Sequence, residues 1–538
     1  MKTRHVVGVV IVVSLLWSAA PCRAQTPGDV RLRLAEIQAQ AAASASLNST
    51  PLGILEAVRS AMEQNLDLKI QRLNIPLAKA QIRQAEGEFD PFAGLSVNYG
   101  QEKRFPLTIL EETAYKGYIR DETFVPSASI QGRLTSGTQY GFTFSWPQTY
   151  SDNPLRLFND TYQANLGFTV AQPLLRGFGF SVNLVSVRIG EKTERQALAN
   201  VEARMLQVIQ DVEMRYWTVV FAQRHVDVSR GSLALAQDLV ERLERGLQGG
   251  LTTGLDLAQA QSALEARRAD LGRAEADLVT ARASLRLMID PRRAIPAPLL
   301  AVDAPAEEGP PTDLPGLLAR AAANRPEVRS EQLAVDKLTL LETKAEDNTR
   351  PSLNFLGTIG FSGAAGSTFN PIVNEQLVQG PLPTRHTYAD AWNGLYTTQG
   401  PYNWSVGLQL TIPIGNRQAE GLLTQARIQR QQQEYRLEQI KGQIGVDVES
   451  AFEITRSAWE RLASSRDAVR VARLQEDATR REQSAGRATV RQVLEAQQYL
   501  AQMLDVESQA LTSYASARAR LEAATTQSFQ RYGLLIER

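Results

Sequence analysis

The chain has 538 residues, 58 basic and 58 acidic side chains, and one cysteine, Cys22. Balanced charge argues against a nucleic-acid partner or a polybasic membrane patch, and one cysteine excludes a disulfide framework. Past the N-terminal segment no run of about 20 apolar residues occurs, so no transmembrane helix is available and any passage through a bilayer must use strands.

Lys2 and Arg4 precede an apolar stretch from Val6 to Trp17, and Cys22-Arg23-Ala24 supplies a small-residue cleavage site before Gln25. This is the pattern of a signal peptide over 1–24. Pro21 stands where a lipoprotein leader needs Gly or Ala, which argues against acylation of Cys22. Beyond the leader only His225 and His386 remain as histidines, so a metal site would need oxygen ligands alone. Residues 25–50, rich in Ala, Gln and Ser, are expected to form a flexible lead.

Length predicts about three or four domains, but the chain repeats itself. Gln64-Asn65-Leu66-Asp67-Leu68 returns as Asn324-Arg325-Pro326-Glu327-Val328, and Asp90-Pro91 returns as Arg350-Pro351, both at an offset of 260. Gln172-Pro173-Leu174 matches Ile412-Pro413-Ile414 at 240, and the segment from Gly250 matches that from Gly486 at 236. A falling offset means the same parts in the same order, with a longer strand region in the first copy. The repeats are 51–290 and 316–530. Between them, 291–315 carries seven prolines and is expected to be a linker or an external strap. Residues 531–538 remain as a C-terminal tail.

In chain order each copy reads helix, strands, very long helix, turn, helix. Leu95, Val97 and Tyr99 alternate with Ser96 and Asn98. Tyr162, Ala164, Leu166, Phe168 and Val170 alternate with Gln163, Asn165, Gly167 and Thr169. Segments starting at Leu353 and Trp404 do the same. Segments of about ten residues, apolar on one face and small or polar on the other, fit a barrel wall; a soluble sandwich is the alternative. The first copy alone holds a further pair over 127–146, turning at Thr135-Ser136-Gly137. Its place, in the wall or outside it, stays open.

No proline interrupts Ser181 to Gln248, or Asn416 to Ala485, so each predicts one helix of about 65 residues, roughly 100 Å long. Val212, Val219, Val226, Leu233 and Val240 recur at steps of seven, as do Leu257, Leu264, Leu271, Leu278 and Leu285. Sustained heptads mean coiled-coil packing, here as one antiparallel hairpin per copy. Thr253-x-x-Asp256 and Thr489-x-x-Gln492 follow the turns and read as capping boxes. No phosphate loop, nucleophile elbow or zinc spacing occurs. Gly177-Phe-Gly179 lacks the third glycine and βαβ setting of a dinucleotide turn. Neither an enzyme nor a cofactor is expected.

The duplicated turns from Gly250 and Gly486, the breaks at Pro91 and Pro351, and the strand ends at Pro173 and Pro413 resemble those of the TolC-like outer-membrane efflux protein family, over nearly the whole chain. The resemblance implies a mostly α fold with β: a tandem-duplicated outer-membrane β-barrel continued by a long periplasmic α-helical barrel, closed by a homotrimer. It implies a passive duct of a tripartite efflux or type I secretion system, set in outer-membrane lipid and working with a periplasmic adaptor and an inner-membrane transporter. The hairpin tips would form its periplasmic gate. On the matching positions Asp256 becomes a tip contact, and Gln492 and Glu495 take the two ring positions. Gln492 departs from the doubly acidic pattern. Ala488 stands where some members carry a latch arginine, although Arg487 and Arg491 flank it. A periplasmic adaptor and a structural coiled coil are the competing readings; two hairpins per chain disfavour the first, and two-faced strands disfavour the second.

Overall fold

In the computed structural model, residues 50–534 are described except 115–116, 154–155, 157, 250–251, 293–298, 306–307, 369–371, 374–375, 378–386 and 397–400. The expected signal peptide, the lead up to residue 49, Gly250 and His386 lie outside the described residues.

The first copy runs β1 (Thr50–Leu52), α1 (Ile54–Gln64), α2 (Leu66–Glu86), β2 (Phe92–Arg104), α3 (Ile109–Ala114), β3 (Ile119–Arg133), β4 (Gln139–Ser145), β5 (Gln148–Ser151), β6 (Phe158–Pro173), α4 (Phe180–Asn183), α5 (Val185–Gln248) and α6 (Gly254–Ile289). The segment between the copies holds β7 (Leu299–Ala301), and the second copy runs α7 (Leu314–Asn324), α8 (Pro326–Asn348), β8 (Ser352–Thr368), β9 (Ile372–Val373), β10 (Gln376–Leu377), α9 (Tyr388–Leu395), β11 (Tyr402–Thr411), α10 (Arg417–Ser484), α11 (Val490–Ala524) and α12 (Gln527–Arg531).

The heptads act as expected. α5, with 64 residues, is about 96 Å long, and its Val212, Val219 and Val226 are buried against α6 residues such as Leu278 and Leu285. α10, with 68 residues, pairs likewise with α11. The short leading helix of each copy covers the root of its hairpin. Ala57, Val58 and Ala61 of α1 join the core of α5 and α6, while Leu317 and Ala321 of α7 join Val448, Ala451 and Leu521. Gly190 lets α5 and α2 approach closely, since a Cβ there would lie 2.8 Å from Ile82 Cγ1. No helix among the described residues is long and apolar enough to cross a membrane.

One antiparallel sheet holds the long strands in the order β11-β8-β6-β4-β3-β2, with β5 pairing to β3 and β6. β4 and β5 are one strand line. Ser145 lies opposite Ser127 and Gln148 opposite Phe124, so the register continues through Trp146-Pro147, where Pro147 cannot donate. The pair expected over 127–146 therefore belongs to this sheet, and it is longer than its alternation suggested. Asp121 and Glu122 in its upper half, opposite Glu102 and Gln101 on β2 and with Arg104 paired to Asp121 at 3.4 Å, break the apolar pattern without breaking the ladder.

Two boundary segments take a defined place in the fold, the proline-rich one as the external strap of the two forms expected for it. The proline-rich segment contributes β7, which pairs in parallel with β1 at Thr50↔Leu299, and it is anchored by Asp303 Oδ2, which accepts from Ile54 N at 2.5 Å and from the Tyr216 hydroxyl at 2.9 Å. It is a strap seated on α5. The described part of the C-terminal tail, 531–534, is likewise built in, because Tyr532 is buried.

Candidate functional site

The sheet has two chemically distinct faces across all six strand lines. One row across it reads Ala93, Ile130, Phe142, Phe168, Ile359 and Trp404; the next reads Leu95, Ala128, Phe144, Leu166, Phe361 and Tyr402. Between them on the other face runs Gly94, Ser129, Thr143, Gly167, Gly360 and Asn403. Period-two alternation carries one face into an apolar medium and the other into water. Leu95, Val97, Trp404, Val406 and Leu408 are each more than half exposed, which a sheet facing water on both sides would not tolerate. α9 lies on the apolar face near its outer end: Ala391 packs with Ala164 and Ala365, and Trp392 meets Phe144 edge-on at 5.0 Å. Aromatic rings gathered at one level are typical of a membrane–water boundary.

The four proline breaks sit together where sheet becomes helix. Pro91 and Pro351 precede β2 and β8, Pro173 ends β6, and Pro413 follows β11. Leu174 N donates to Leu353 O at 2.7 Å, and Arg176 N to Pro351 O at 3.4 Å. The buried Asp347 carboxylate accepts from Gly177 N at 2.7 Å. Asn416 donates to Thr349 O at 2.9 Å, tying the exit of β11 to the entry of β8. Arg133 reaches Glu88 at 2.7 Å and Asn183 at 2.5 Å, so the turn after β3 lies at this level too. Gly177 and Gly179 hold φ of +80° and +90°, the backbone conformation that explains the Gly-Phe-Gly run.

At the far end the hairpin tips are capped as their sequences predict. Thr253 Oγ1 accepts from Asp256 N at 3.2 Å, while Asp256 Oδ2 accepts from Thr253 N at 3.4 Å. Thr489 Oγ1 accepts from Gln492 N at 3.4 Å and Gln492 Oε1 from Thr489 N at 2.8 Å. Asp256 and Gln492 thus both spend their side chains on caps. Gly486, at φ +74°, ends α10 in a Schellman motif, in which Arg487 N donates to Glu482 O and Gly486 N to Gln483 O, both at 2.9 Å. Glu495 lies one turn beyond the cap, exposed, and pairs with Arg491 at 2.8 Å. Arg487 pairs with Glu482 at 2.9 Å. The tips of the two copies lean on each other, for Val490 of α11 is buried with Leu239, Val240 and Leu243 of α5 and Ala260 of α6.

Two links between copies escape sequence patterns. His225 Nδ1 lies 2.8 Å from Asp505 Oδ1, bridging α5 to α11. Glu213, buried mid-helix in α5, accepts from the Tyr532 hydroxyl, and beside it Arg531 and Arg518 clasp Glu522 at 2.6 and 2.9 Å. An acidic residue at a core position of α5 was the one available signal.

The sequence profile of the outer membrane efflux protein family matches residues 57–289 and 317–527. Among curated proteins none matches the chain. Solved structures share the fold at low identity. The outer-membrane channel OprN aligns at 15% identity and a TM-score of 0.62, over 88% of this chain and 89% of its own. The CmeC outer membrane channel of Campylobacter jejuni aligns at 14% and 0.59, over 89% of each chain. The outer membrane protein VceC of Vibrio cholerae aligns at 14% and 0.59, over 88% of this chain and 95% of its own.

Proposed function

Because the chain belongs to the outer membrane efflux protein family, a family of channels and not of enzymes, we propose that it is the outer-membrane subunit of a tripartite efflux or type I secretion system. It acts as a passive duct across the periplasm. One observation carries the reading: a two-faced antiparallel sheet and two long helical hairpins are joined in one chain through a shared belt of proline breaks. In this reading the signal peptide is removed near Ala24, three copies close the walls, and the apolar face of the sheet meets lipid. The polar face and the hairpins enclose water down to the tips. There an adaptor protein docks and an inner-membrane transporter supplies the energy.

The gate in this proposal is the ring of tips. Glu495 is the carboxylate left free of capping duty, and three copies of it around a narrow mouth would favour cations. Its contact with Arg491 and the neutrality of Gln492 weaken that field. Asp256 acts as a tip contact that also caps α6.

Fractionation and electrophoresis test the assignment. The mature product is expected in the outer membrane as a trimer that survives unheated in detergent gels. A soluble monomer would contradict it and favour a periplasmic adaptor.

A further inference from the structure

The two copies build their wall segments differently. The second contributes the single pair β8 and β11, whereas the first contributes β2, β3, the β4–β5 line and β6. The extra pair, 119–151, lies between β2 and β6 with full ladders on both sides: Ser127 faces both Ser96 and Ser145, and Ser145 faces Asn165. It obeys the face rule of its neighbours. Ile130 and Phe142 stand in the apolar row with Phe168, and Ser129 and Thr143 in the polar row with Gly167. Its turn is tied to the helix–strand belt by Gly179 N donating to Ser136 O at 3.1 Å, so the pair runs the full height of the sheet.

The sheet stays open at β2 and β11. In lipid an open edge leaves backbone N–H and C=O groups without partners, and only closure removes it. β2 runs away from its proline break and β11 runs toward its own. The two edges are therefore antiparallel and can pair between adjacent copies, both turning their apolar residues the same way. We propose that three copies close an eighteen-stranded barrel, six strands from each, with β2 of one copy paired to β11 of the next. The 119–151 pair then acts as an inserted spacer that widens the outlet. With strands about 4.8 Å apart and tilted about 40°, eighteen strands give a barrel about 36 Å across between strand axes, against about 24 Å had both copies contributed one pair. The proposal rests on the trimeric duct above and deepens it.

Electron microscopy of the full-length trimer in lipid nanodiscs counts the strands directly. Eighteen strands, with 119–151 in the wall, are expected. A twelve-stranded ring with 119–151 outside it would overturn this proposal and leave the duct reading standing, whereas a chain that forms no ring would overturn both. Labelling in whole cells gives a second readout. Ser129→Cys is expected to react at least tenfold faster than Ile130→Cys with a water-soluble maleimide. Equal rates at the two positions would place the pair in water on both faces and overturn the insertion.

Discussion

The Tyr532 hydroxyl donates to the Glu213 carboxyl, joining the segment after the last helix to the middle of α5. Glu213 is almost fully buried, and no cation reaches it directly among the contacts of the described residues. Burial pushes its carboxyl up to about 7, a shift that the Tyr532 hydrogen bond opposes and the nearby Glu522 charge reinforces.

Stability should therefore depend on pH in a defined window. Between about 4.5 and 7 the folded chain keeps a proton that the unfolded chain sheds. The contribution is complete below that window and declines as pH rises through it, by roughly 3 kcal/mol at most. Glu213→Gln keeps the shape and the acceptor but not the charge. It should raise the melting temperature in detergent at pH 8 and flatten this decline. An unchanged pH profile would refute the assignment.

The caps at the tips are local, so their loss should be local. Thr489→Val removes one acceptor at the start of α11, worth about 1 kcal/mol. Amide exchange over residues 490–494 should quicken about fivefold with the global melting temperature unchanged. Hydrogen exchange followed by mass spectrometry measures this, and unaltered protection would show that the cap does not hold the tip.

Glu495 carries the gate proposal. Reversal potentials of Glu495→Gln in a salt gradient should shift toward lower cation preference. Identical selectivity would remove Glu495 from the gate.

Close helix packing makes Gly190 intolerant. Gly190→Ala drives a methyl against Ile82 and its backbone, an overpacking expected to cost about 1–3 kcal/mol. A lowered melting temperature of the assembled protein checks it; an unchanged one would mean that α2 and α5 can separate without loss.

Much of this architecture is legible from residues because its signals are long and repeated. Val212, Val219 and Val226 define the buried seam of α5 by themselves, and Thr253-x-x-Asp256 and Thr489-x-x-Gln492 place the helix starts that the capping bonds fix. The strap was less legible. β7 has three residues and its partner β1 lies 249 positions earlier, so neither local propensity nor periodicity points to the pairing. The 119–151 pair was hidden in part because Arg120, Asp121 and Glu122 look unlike a membrane strand, although they continue the ladder to β2 beyond its apolar rows. Tyr532 lies beyond the second repeat in a segment too short to show a period. Its role depends on Glu213, more than three hundred residues away.

The central claim is that these walls enclose water. Mature protein extracted from outer membranes and added to a planar lipid bilayer should give discrete conductance steps, each from one trimer. A preparation that stays monomeric in aqueous buffer and leaves the bilayer electrically silent would contradict the account.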